Sequence, residues 1–150
     1  MAPAAILVSL SRCIIVIISQ GQIMDTFIYA LSLPLQSLNG VLAAWGIYIS
    51  QLILNFFVPS SSGQAMIAMP ILTPLADLIG VNRQVAVHAF MSADYFGNMI
   101  IPTHPTTLAC LGMAGISYNK WFKYAWPIVL KWSIWVFIIL AIGVVTDWSF

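Results

Sequence analysis

Glutamate is absent from this chain, and charge of either sign is scarce. Only 6% of its 150 residues are charged, and the formal net charge is +1. That balance argues against nucleic acid or an acidic polymer as a partner. There is no pair of histidines at metal spacing, no Cys-His arrangement and no Gly-rich phosphate loop. An enzyme with a catalytic residue, a resident cofactor or a metal centre is therefore not expected. Cysteine is limited to Cys13 and Cys110, both in apolar surroundings. The expectation is two small buried hydrophobes, not a disulfide or a metal cluster. Repeated polar/apolar alternation is lacking too, which excludes a transmembrane β-barrel.

What remains is apolar and continuous. The chain is 61% hydrophobic, with a mean hydropathy of +0.99, and no residue between Thr26 and Pro74 carries a charge. Such runs exceed the ~20 apolar residues that cross a bilayer. The fold class is an all-α integral membrane protein with the lipid bilayer as its solvent. No basic n-region precedes the first apolar run, so a signal peptide is not expected. The chain enters a hydrophobic segment almost at Met1, as a fragment of a longer protein would.

Read along the chain, residues 1–20 are expected to be a transmembrane helix with Arg12 on its polar stripe beside Ser9 and Ser19. Residues 21–39 fit an amphipathic interfacial helix, or equally a short buried connector. Residues 41–80 form two helical stretches around a Pro-Ser-Ser-Ser-Gly tip at 59–63, either a re-entrant hairpin or two full spans. The hairpin is favoured because it sets Ser60, Ser61 and Ser62 at depth near a ligand. Residues 84–116 are expected to be a broken transmembrane helix. An interfacial loop at 117–124 follows, rich in Tyr, Trp and Lys, and then a spanning helix over 125–146.

One pattern occurs twice, at Asn55 and again at Asn98, 43 residues apart (98 − 55). Each copy is Asn, two apolar residues, a β-branched residue, Pro59 or Pro102, and a hydroxyl residue, Ser60 or Thr103. Proline removes a backbone donor and clashes with the preceding turn, so each copy should break its helix. Broken backbone at membrane depth survives only inside protein or beside a wet cavity. Paired interruptions of this kind point to a transporter's binding site.

The candidate substrate- and ion-binding residues follow from that placement. They are Asn55, Ser60, Ser61, Ser62, Gly63, Asp94, Asn98, Thr103 and Arg12. Helix N-termini near Gly63 and Thr106 offer free N–H groups to an anion. Carbonyls freed before Pro59 and Pro102 offer oxygens to a cation. Asp94 lies one turn before Asn98 and is placed to receive a proton, a sodium ion or an ammonium group. Arg12 suits a substrate carboxylate, or equally an internal ion pair. A coupling proton or sodium ion is the only non-protein group anticipated. His104 either senses pH or fills a polar niche.

The stretch Asn55 to Asp77, with its Val58-Pro59-Ser60-Ser61-Ser62-Gly63 block, resembles the YfcC-type carriers. These group with the DcuC-type four-carbon-dicarboxylate carriers of the ion transporter superfamily. Arg12 to Thr26 and Gly115 to Pro127 are similar to the same family. The resemblance implies the C-terminal half of an inverted-repeat, elevator-type secondary transporter, with a hairpin and a broken helix in each repeat. It further implies a homodimer in the inner membrane and a small-molecule anion or amino acid as substrate. Around Asp94 the family tends to be richer in Gly than the Ser92-Ala93-Asp94-Tyr95-Phe96-Gly97 found here.

The expected function is secondary active transport of small carboxylates or amino acids, as part of a longer carrier. Alternating access needs a second repeat, so the chain alone is not expected to transport. The rival expectations are a small non-transporting membrane subunit, a decayed remnant, or a pore.

Overall fold

The computed structural model describes Ala30 and residues 33–148. Arg12, the helix expected over 1–20 and most of the segment 21–39 lie outside the described residues. From Leu33 onward the chain makes a short 3-10 turn, Leu33–Ser37, and then five α-helices. These are α1 (Gly40–Phe57), α2 (Ser61–Leu78), α3 (Arg83–Ile100), α4 (Pro105–Ala114) and α5 (Tyr118–Val145).

Helix α1 is apolar on two faces. Ala43, Ala44, Ile47, Tyr48, Gln51, Leu54 and Asn55 are buried, at the three- and four-residue spacing of one helical stripe. Leu42, Ile49, Ile53 and Phe56 on the opposite side are exposed, as lipid contact would leave them. The helix stops at Phe57 because Pro59 cannot donate and forces Val58 out of the helical region, to φ −123° and ψ 77°. Helix α2 restarts at Ser61 and carries Pro70 and Pro74 internally.

Glycine ends two helices. Gly80 and Gly115 have φ near +68° and +67°, the left-handed region a side chain resists. In each case the next residue donates back into the helix: Val81 N–H to Ala76 O at 2.9 Å, and Ile116 N–H to Leu111 O at 3.0 Å. The chain thus reverses sharply between α2 and α3, and again between α4 and α5.

Helices α1, α3 and α5 pack on one another, α2 lies on α3, and α4 lies only lightly on α5. Aromatic contacts and polar bonds fix α1 to α5. Trp45 Nε1 donates to Phe137 O at 3.0 Å, and the Trp45 and Tyr48 rings sit 5.3 Å from the Phe137 ring. Tyr48 Oη and Ser133 Oγ are 2.8 Å apart. Buried tyrosine and tryptophan need such partners for their polar ends.

The segment 117–124, expected as a loop, is helical from Tyr118 on. Ser117 sits at the N-cap position. No breaker stands between Tyr118 and Trp126, and the single Pro127 is absorbed within the helix. Aromatic and lysine residues mark an interface by chemistry, and that chemistry is compatible with helix. The result is a helix of 28 residues, about 42 Å long at 1.5 Å per residue. Among the described residues, α1 and α5 are long and apolar enough to cross a membrane.

Candidate functional site at two helix breaks

The two breaks meet around Asp94. Helix α1 delivers Gln51 and Asn55 from adjacent turns of one face. The first two turns of α2 deliver Ser61 and Gln64. Helix α3 delivers Asp94 and Asn98, also one turn apart.

Asp94 is 3% exposed. Its Oδ2 accepts from Ser61 Oγ at 2.5 Å, and its Oδ1 accepts from Asn98 Nδ2 at 3.0 Å. Its backbone carbonyl accepts from Asn55 Nδ2 at 3.1 Å. The asparagine of each copy therefore bonds Asp94, Asn98 at its carboxylate and Asn55 at its backbone, and Ser61, just past the first copy, adds a second bond to the carboxylate. Gly97 allows the approach, since a Cβ there would lie 2.5 Å from Asn55 Nδ2. A second bond ties the breaks directly: Thr103 Oγ1 donates to Phe56 O at 2.9 Å.

The other expected residues sit further out. Ser60 occupies the N-cap position of α2, but its side chain makes no capping bond. Ser62 is exposed, and Gly63 is half-buried against Ser60. Arg12 lies outside the described residues. His104 is the N-cap of α4: its Nδ1 accepts from Thr107 N–H at 3.4 Å and lies 2.8 Å from Thr107 Oγ1. Cys110, expected to be buried, is exposed on α4.

Two buried glutamines extend the site. Gln51 is 2% exposed and Gln64 is fully buried. Gln64 Nε2 donates to both Gln51 O and Gln51 Oε1, each at 3.1 Å. These residues carry no local motif. Their spacing to Asn55 and Ser61 on the same helical faces is the signal that would have found them.

The carbonyls expected to be free before Pro102 are not free. Gly97 O accepts from Ile101 N–H at 2.9 Å, and Asn98 O accepts from Thr107 Oγ1 at 2.7 Å. Met99 O accepts from Trp121 Nε1 at 2.7 Å, and Ile100 O accepts from Tyr118 Oη. The last four carbonyls of a helix are its orphan acceptors, and here side chains from α4 and α5 cap three of them.

Side chains supply partnerless acceptors as well. Asn55 Oδ1, Asn98 Oδ1 and Gln64 Oε1 are buried without a partner. All three are amide oxygens, and buried polar atoms of this kind call for a donor or a cation. Among the described residues the ion pair is Arg83 with Asp77, at 2.6 Å and exposed. Arg83 starts α3, eleven residues before Asp94, or about 16 Å along a helix. Among the described residues no Arg, Lys or His forms an ion pair with Asp94, although His104 is near enough to feel its charge. The arrangement thus combines one buried carboxylate with neutral amide oxygens that lack a donor.

Comparison with known proteins agrees with a carrier. The family model described as "C4-dicarboxylate anaerobic carrier" (DcuC) matches residues 1–145. A protein of Escherichia coli (strain K12) named "Putative basic amino acid antiporter YfcC" is 37% identical over 128 residues, covering 82% of this chain and 25% of that protein. An uncharacterized protein of Haemophilus influenzae is 31% identical over 125 residues, covering 83% of this chain and 24% of its own length. The chain thus spans about a quarter of the length of these relatives. No solved structure matches. The chain belongs to the DcuC family, whose model and named relative describe carriers and not enzymes.

Proposed function

We propose that this chain, as a member of that family, supplies part of the ligand site of a longer secondary carrier for small carboxylates or amino acids. Transport runs by exchange or on an ion gradient in the inner membrane, with the carrier a homodimer. Helices α1 and α2 form a re-entrant hairpin, and α3 with α4 forms a broken helix beside it. The Asp94 cluster takes the cation, either the coupling proton or sodium ion or the amino group of a substrate. The uncapped start of α2, with Ser60, Ser61, Ser62 and Gly63, faces the substrate carboxylate.

The observation that carries this reading is the buried Asp94 carboxylate, held by residues of both breaks, beside partnerless amide oxygens. A buried carboxylate is costly, and intramembrane acids mark ion or substrate pathways. The test is counterflow in proteoliposomes holding the complete carrier, preloaded with a C4-dicarboxylate or a basic amino acid. Exchange that Asp94→Asn abolishes supports the reading. Exchange that Asp94→Asn leaves intact contradicts it.

A further inference from the structure

The aromatic residues at the start of α5 carry out work that headgroup anchoring does not explain. Tyr118 and Trp121 are three residues apart and share a helical face. The left-handed turn at Gly115 brings that face back onto the second break. There Trp121 Nε1 donates to Met99 O at 2.7 Å, and Tyr118 Oη donates to Ile100 O. Otherwise α4 and the first turns of α5 touch lightly. The Trp121 ring also walls a cleft of about 340 Å³ against Thr107, Cys110 and Leu111.

We propose that Tyr118 and Trp121 are positioning residues of the ligand site. By occupying the carbonyls of Met99 and Ile100, they close the backbone of the second break to cations. The acceptors left for a cation are then Asp94 and the amide oxygens of Asn55, Gln64 and Asn98. The pair also fixes the end of α3, and with it the Asn98 side chain that orients Asp94. An uncapped break would offer a competing set of bare carbonyls a turn away from the carboxylate. This inference rests on the cation reading of Asp94.

The experiment is exchange by the complete carrier in proteoliposomes, measured against cation concentration and pH. The variants are Tyr118→Phe with Trp121→Phe, which together remove both donors and leave an aromatic ring, smaller at 121, at each position. Trp121→His restores an N–H donor, and Tyr124→Phe alters a neighbouring exposed aromatic that makes no bond to the break. Leaving these half-buried carbonyls unpaired should raise the half-saturating cation concentration, or its equivalent in the pH profile, about tenfold. The maximal rate should stay within about twofold, because the transported species and its carboxylate are unchanged. Trp121→His added to Tyr118→Phe should recover part of the shift, and Tyr124→Phe should show none.

A double variant with wild-type cation dependence, beside an Asp94→Asn carrier that has lost it, overturns this inference alone. Equal loss of rate and affinity, or loss of folded carrier in every variant including Trp121→His, assigns the pair a structural role and also overturns it. If Asp94→Asn keeps its cation dependence, the reading of Asp94 fails and this inference fails with it.

Discussion

The two helix breaks share one sequence pattern and are closed in different ways. At the first, Val58–Ser60 is a three-residue gap, and α2 begins without a side-chain cap at Ser60. At the second, His104 caps α4, while Thr107, Tyr118 and Trp121 cap the end of α3. The helix that starts after the first break thus lacks a side-chain cap, and the helix that ends at the second has three of its last carbonyls capped by side chains. Between them lie the acceptors, Asp94 with the partnerless oxygens of Asn55 and Asn98. The same local pattern is thus closed in two ways, because closure depends on what packs against it and not on the proline alone.

The sharpest way to break this comparison is to remove its shared centre. Asp94→Asn keeps the shape and removes the charge. Exchange should fall by roughly a hundredfold or more, from the ~2–5 kcal/mol that a buried charge partner carries. Next come the two asparagines. Asn98→Ala removes a bond to the carboxylate itself, and Asn55→Ala removes one to its backbone. Both should raise the half-saturating cation concentration. Asn98→Ala should do so more, since bonds to charged groups are worth ~1.5–3 kcal/mol against ~0.5–1.5 for neutral ones.

Gly97→Ala tests the approach of the two breaks. Its methyl would meet Asn55 Nδ2 at 2.5 Å, so α1 and α3 must separate. Overpacking of this kind costs about 1–3 kcal/mol, and the purified carrier should melt earlier with weakened cation dependence. The smallest effect is expected far from both breaks. Arg83 hydrogen-bonds Asp77 and holds its carboxyl below the usual range. A depressed carboxyl contributes stability above its unfolded pKa and loses it as pH falls through the lower folded value. Thermal melts of wild type should weaken slightly more toward acid than those of Asp77→Asn. Both side chains are exposed, so the difference should be small.

Local pattern singled out most of the residues that the structure brings together around Asp94. Asn55, Ser61, Asp94, Asn98 and Thr103 were all reachable from the repeat and from one-turn spacing, because proline and helical periodicity act over a few residues. Which of them touch was not reachable. The Ser61 to Asp94 bond joins residues 33 apart, and Thr103 to Phe56 joins residues 47 apart. Gln51 and Gln64 escaped notice because a lone glutamine in an apolar run has no motif, and its burial depends on a helix placed elsewhere. Tyr118 and Trp121 carry two signals at once. Their composition fits a headgroup belt, while their polar ends serve a helix terminus about twenty residues upstream. The start of α5 was missed for the same reason, since the residues that favour an interface do not oppose a helix.

The most direct test of the central claim is cation binding itself, measured without transport. Purified carrier and its Asp94→Asn variant would be titrated with labelled sodium ion and, separately, for proton uptake on ligand addition. The account predicts a sodium or proton signal in the wild type that Asp94→Asn eliminates, while the variant still folds. Identical signals in the two proteins would contradict it, because the two breaks would then converge on a carboxylate that binds nothing.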